Sequence, residues 1–157
     1  MDFLIWLEQT GLATWVRESN SLLAFPFVLF MHTLGMGLVA GLNAAVDLRI
    51  LGIGREIPLS VVTKVFRLIW VGLIISTVSG VLLLMAAAST KLISPVFYVK
   101  MIFLLFAILD MLATRNHVFR GPLLDEAPIT SVGKFLAVAS LVFWAGTITA
   151  GRLMAYF

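Results

Sequence analysis

An integral membrane protein built only of α-helices is what this sequence predicts: a four-helix bundle preceded by a short N-terminal interfacial helix. Composition carries the first half of that expectation. Of 157 residues, 61% are hydrophobic and 12% charged, and mean hydropathy is +1.09. A soluble domain this small could not hide so much apolar surface. Distribution carries the second half, because the apolar residues fall into four runs, each long enough for the roughly 20 residues a bilayer core demands.

The N-terminal stretch MDFLIWLEQTGLATWVRES has acidic residues early and no basic segment ahead of its apolar part, so it is not read as a cleaved signal peptide. Phe3, Trp6, Leu12 and Trp15 set among charges suit a short helix lying on the outer interface. The first span covers about residues 21–47, and Pro26 either kinks it or starts its regular part. The second covers about 59–88, the third about 95–115 and the fourth about 131–154. Pro58 and Pro95 stand where a first-turn proline loses no helical hydrogen bond. Ser94, and Thr130 or Ser131, are expected N-caps. Between spans three and four, RGPLLDEAPITSVGK is the one substantial polar loop. The whole chain, residues 1–157, reads as a single domain.

Several chemistries are excluded. The chain has no cysteine, which removes disulfides, thiolate metal sites, iron–sulfur clusters and haem attached through CxxCH. It has no basic stripe or zinc spacing for nucleic acid. Basic residues instead set an orientation. Arg49, Arg55, Lys64 and Arg67 surround the first connection, and Arg115, Arg120 and Lys134 the third, against Arg17, Lys91 and Arg152 on the other side. The richer loops are expected in the cytoplasm and both termini outside.

Within the spans, polar residues fall on defined faces. At about 100° per residue, Asn43 and Asp47 lie within about 60° of His32, together with Gly35, Met36 and Val39. That stripe is polar and mostly small, as for a face turned to other helices or a cofactor. His32 sits near mid-bilayer and needs partners for its N–H and its lone pair. Three readings stand: a hydrogen bond across helices to a serine of span two, an axial bond to haem, or copper and proton handling with Met31 and Met36 nearby. Lys100 either snorkels outward or meets a carboxylate, a cofactor propionate or a metal. Ser76, Ser79 and Gly80 mark the outer half of span two, and Trp144, Thr147 and Gly151 one face of span four. Gly146 and Ala150, four apart, permit close helix contact. Asp47, Arg49, Arg67, Asp110 and His117 are expected to form a charge-paired clasp in the cytoplasmic half. His32 and His117 lie too far apart along the normal to clamp one haem.

The segment HTLGMGLVAGLNAAVDLRILG resembles a widespread bacterial family of small, uncharacterised four-span membrane proteins with a histidine in span one and a DLRxLG ending. The resemblance covers most of the chain, and DLRILG at 47–52 is its most specific part. It implies the bacterial inner membrane. More loosely, His32 together with FYVKMIFLL around Lys100 is similar to HemJ-type protoporphyrinogen oxidases and CopD-like membrane domains. In the HemJ type, the span-one histidine and span-three lysine are associated with b-type haem and activity, which implies roles for His32 and Lys100. DLRILG here replaces the polar, basic segment that closes span one in that type.

The resulting expectation is a b-type cytochrome-like redox module exchanging electrons with a quinone or a partner protein. His32 would be the metal ligand, Lys100 would neutralise a propionate or approach the iron, and Arg152, with Lys91 as a second candidate, would hold the outward-facing propionates. Trp144, Gly35 and Gly80 would shape the haem slot. The alternatives are a HemJ-like porphyrinogen oxidase, or a non-redox assembly or transport subunit whose polar stripe specifies helix packing. Small-residue faces also suit a homo-oligomer. The orientation is testable because the chain has no native cysteine. In intact cells, Arg55→Cys should resist a membrane-impermeant thiol reagent while Gln9→Cys reacts; the opposite labelling pattern refutes it.

Overall fold

The computed structural model describes residues 2–119, 128–154 and 156, so Arg120 and the polar stretch after it as far as 127 lie outside the described residues. The described residues form seven α-helices and no strand. They are α1 (Asp2–Glu8), α2 (Gly11–Glu18), α3 (Phe25–Leu51), α4 (Leu59–Ala86), α5 (Ala88–Lys91), α6 (Pro95–Val118) and α7 (Ser131–Leu153). Helices α3, α4, α6 and α7 are each long and apolar enough to cross a membrane. Large apolar residues such as Leu68, Val71, Ile74 and Val78 point outward from α4. An apolar exterior of this kind needs lipid as its solvent, and the protein is a multi-pass membrane protein.

Local chemistry sets the helix ends. Pro26 lies in the first turn of α3 and starts the helix rather than kinking it. The far end runs four residues beyond the expected Asp47, to Leu51, where Gly52 adopts φ +104°. Only glycine enters that left-handed region without strain, and Ile53 N–H then closes onto the Leu48 carbonyl at 2.9 Å. Pro58 is the N-cap of α4, one position outside the expected first turn. Pro95 opens α6, although the Ser94 hydroxyl makes no capping bond. Of the two capping candidates for the last span, Thr130 is used and accepts from Gly133 N–H at 3.2 Å.

The four spans line up as α4, α3, α7, α6. Antiparallel pairs α3–α4 and α6–α7 make the main contacts, α3 against α7 joins the pairs, and α4 scarcely touches α6. Apolar burial gives little drive to helix association inside lipid, so close backbone approach carries much of it. At the α3–α4 crossing, a Cβ added to Gly35 would lie 2.7 Å from Ser76 N and 2.8 Å from Gly72 O. On the other side of the bundle, Gly146 lies under the Phe103 ring, and Ala150 is buried. The small residues of span four are therefore used within the bundle. Gly37 and Gly41 of α3 face open space instead.

The N-terminal segment forms two helices rather than one, broken at Thr10, whose hydroxyl donates to Leu7 O at 2.8 Å. Helix α2 lays Val16 on Val28 and Ala86, leaving Leu12 and Trp15 exposed. Helix α1 is tied to α5, because Glu8 accepts from both the N–H and the hydroxyl of Ser89 at 2.7 Å. These helices cover the end of the bundle where α3 begins and α4 finishes, hereafter the terminal end. The α3–α4 connection marks the loop end.

Two outcomes follow from these contacts. Gly35→Ala drives a methyl into backbone that cannot rotate away, and overpacking of this type costs about 1–3 kcal/mol; thermal unfolding in detergent should show a lowered midpoint, whereas Gly37→Ala should be neutral. The Ser89 hydroxyl and N–H hold the Glu8 carboxyl below its ordinary 4.5. A depressed carboxylate favours the docked state fully above 4.5, and that contribution is lost as pH falls through the lower, docked value. A nitroxide at Gln9→Cys should gain mobility on acidification, and Glu8→Gln should show that mobility already at neutral pH.

Candidate functional site

Two groups of polar side chains lie between the spans, one toward each end of the bundle. The first is built around His32, about two turns into α3 from the terminal end. Gly35 lets α4 approach so closely that the imidazole meets α4 backbone. Nδ1 stands 2.9 Å from the Ser76 carbonyl oxygen, with the hydroxyls of Ser76 and Ser79 farther off at 3.5 and 3.4 Å. A carbonyl only accepts, so Nδ1 carries the proton and donates it. That choice leaves Nε2 with its lone pair, and no hydrogen bond engages Nε2 among the described residues. Ser79 in turn donates to Ile75 O at 2.6 Å.

The cross-helix hydrogen bond expected of a packing histidine is therefore present, through Ser76, and it accounts for one ring nitrogen only. Gly80 lies beneath the ring, where an added Cβ would be 3.0 Å from His32 Cε1. Sequence reading assigned Gly35 and Gly80 to opening a porphyrin slot. In the structure α4 backbone fills the space beside the first and the imidazole fills the space beside the second.

Lys100 of α6 comes close enough for its charge to act on His32. Its side chain runs along Gly151 of α7, with Cε at 3.7 Å and Nζ at 3.9 Å from where a Cβ would be. No carboxylate or carbonyl engages Nζ among the described residues. Seven residues from Gly151 and on the same helix face stands Trp144, 3% exposed, whose Nε1–H also finds no partner. Arg152 is exposed in the last turn of α7, and Lys91 donates to the Met154 carbonyl at 2.7 Å. The structure thus sets Lys100 within electrostatic range of His32 and leaves Arg152 outside at the bundle end.

The second group overturns the expected clasp. Arg17–Glu18 is the one ion pair among the described residues, and neither partner belongs to the clasp. Arg49 turns to the connection and donates to the Ile57 and Arg55 carbonyls at 2.6 and 3.2 Å. Two residues from Asp47, it lies about 200° around the helix and cannot share its stripe. Arg67, Arg115 and His117 are exposed. The two carboxylates remain inside, Asp47 at 2% and Asp110 at 7% exposure, each with Oδ2 unpaired. Asn43 bridges α3 to α6, donating to Val39 O at 2.9 Å and reaching Met111 Sδ at 3.9 Å. Ser140 of α7 faces Asp47, a neighbour that sequence reading missed. Its signal was available, since Ser140, Trp144, Thr147 and Gly151 form one stripe of α7.

Residues 3–157 match the model of a family described as "Family of unknown function (DUF6644)". No curated protein and no solved structure matches.

Proposed function

The chain belongs to the DUF6644 family, and we propose that within it the protein is a membrane redox module with a b-type haem at His32, exchanging electrons with a quinone or a partner protein. The observation that carries this reading is the 2.9 Å contact between His32 Nδ1 and the Ser76 carbonyl oxygen. Imidazoles that bind metals characteristically donate their second N–H to a carbonyl or carboxylate, which fixes the ring and strengthens the donor nitrogen. His32 has that arrangement, with Ser76 O on Nδ1 and an uncommitted lone pair on Nε2.

Lys100 and Trp144 suit the same group, whereas Gly35 and Gly80 open no slot for it. Lys100 places a positive charge without an internal partner near the imidazole, suited to a propionate. The unpaired indole N–H of Trp144 offers a donor on the α7 face that Lys100 overlies. His117, exposed at the loop end, is too distant to be a second ligand. A bound b-type haem supplies reversible one-electron chemistry at iron. His32 would orient and anchor it, Lys100 would balance charge and so raise the potential, and the surrounding spans would exclude water. The same reading places the terminal end outside the cytoplasmic membrane, since Arg49, Arg55, Lys64, Arg67, Arg115 and Lys134 gather toward the other end.

A second reading, a non-redox assembly or transport subunit, draws support from the packing role His32 plays over Gly80. An absorption spectrum separates the two. The full chain, expressed with ample haem and purified in detergent, should show a Soret band that shifts on reduction with dithionite. His32→Ala should lose the haem, His117→Ala should keep it, and Lys100→Ala should keep it at a lower potential. A colourless wild-type protein sinks the redox reading and favours packing.

A further inference from the structure

The buried carboxylates at the loop end belong to neither reading. We propose that Asp47, Asp110, Thr114 and Ser140 form an intramembrane binding site for a sodium ion, independent of the chemistry at His32.

Three spans contribute to it. Asp47 comes from α3, Asp110 and Thr114 from α6, and Ser140 from α7. All four are more than nine-tenths buried, with exposures of 2%, 7%, 3% and 1%. All four also carry a buried side-chain oxygen without a hydrogen-bond partner: Oδ2 of each aspartate, Oγ1 of Thr114 and Oγ of Ser140. Their grouping has physical support. The charge of Asp110 acts on Asp47, and Ser140 faces the Asp47 carboxylate, although no well-aligned hydrogen bond closes on its hydroxyl. Thr114 lies one turn beyond Asp110 on the same face of α6. Asn43, one turn from Asp47, touches Met111 beside Asp110, which ties α3 to α6 at this level.

An unpaired buried polar group costs about 1–3 kcal/mol, and a charged one more. Four such oxygens on the inward faces of α3, α6 and α7 therefore point to something that takes their lone pairs together. Among the described residues no basic side chain does so: Arg49 caps the connection, and Arg67, Arg115 and His117 are turned outward. A proton shared by the carboxylates would satisfy two oxygens and leave the two hydroxyls as they are. A hard cation accepts oxygens of both kinds. Calcium takes six to eight oxygens and magnesium retains several waters in a strict octahedron, demands that four side-chain oxygens in a dry site meet poorly. Sodium, singly charged and less exacting in geometry, fits the donor set. Intramembrane ionisable residues in general mark substrate, ion or proton pathways.

The detergent-purified full chain should bind radiosodium, and replacing choline chloride by sodium chloride at constant ionic strength should raise its thermal midpoint. Asp47→Asn and Asp110→Asn should each weaken binding about tenfold or more, and Ser140→Ala should weaken it less. His32→Ala, at the other end, should leave it unchanged. Because an aspartate variant could fail to fold, the wild-type comparison decides by itself. No bound radiosodium, or a midpoint that responds to acid and not to sodium, refutes the site. Displacement of radiosodium by micromolar calcium or magnesium also refutes it as a sodium site.

Discussion

The approach of α3 to α4 at Gly35 and Gly72 governs much of what the bundle presents at its terminal end. Helices in lipid gain little from hiding apolar side chains against each other, so van der Waals contact between backbones matters more than in water. Removing two side chains brings Ser76 N within 2.7 Å of where a Gly35 Cβ would stand. One turn away, that proximity presents the Ser76 carbonyl to His32. A carbonyl inside a helix already accepts one hydrogen bond and has a second lone pair free. The imidazole uses that lone pair, and the choice of tautomer follows from it. The chemistry of His32 thus depends on a glycine that touches neither ring nitrogen.

The two polar groups resolve the same problem in opposite ways. At the terminal end a neutral imidazole satisfies one nitrogen on backbone, hydroxyls crowd around it, and the neighbouring charge is the cation of Lys100. At the loop end two buried carboxyl groups stand without a basic partner among the described residues. Basic residues are plentiful there, but the described ones serve the interface: Arg49 ties down the α3–α4 connection, and Arg55, Lys64, Arg67, Arg115 and Lys134 face outward. At this end the described basic side chains stay at the membrane surface and the carboxyl groups lie between the helices. That separation is the opposite of a charge-paired clasp.

Much of the architecture was legible in the chain itself. Four apolar runs, proline and threonine at the helix starts and the all-α class all follow from hydropathy and local backbone rules, which need no neighbours. Errors at the ends came from turn chemistry. Span one runs on to Leu51 because Gly52, rather than polar Asp47, ends it, and the N-terminal stretch splits at Thr10, where a hydroxyl competes for a backbone carbonyl. The stripe of His32, Asn43 and Asp47 was also readable, since helical periodicity sorts residues by face, and both Asn43 and Asp47 are buried.

Periodicity assigns a residue to a face and does not say what stands opposite. The expected clasp paired Asp47 with Arg49 and Arg67 on depth alone, whereas angle around each helix and the order α4, α3, α7, α6 separate them. Gly35 and Gly80 read equally well as room for a ligand or room for a helix, because a missing side chain is the same in sequence whichever fills it. Ser140 became a neighbour of Asp47 only when α7 was set against α3. Sequence by itself determined the solvent, the number of spans and which residues turn inward, all properties of one helix in lipid. Tertiary structure decided which inward residues meet, because helix order and rotation arise from contacts between segments far apart in the chain.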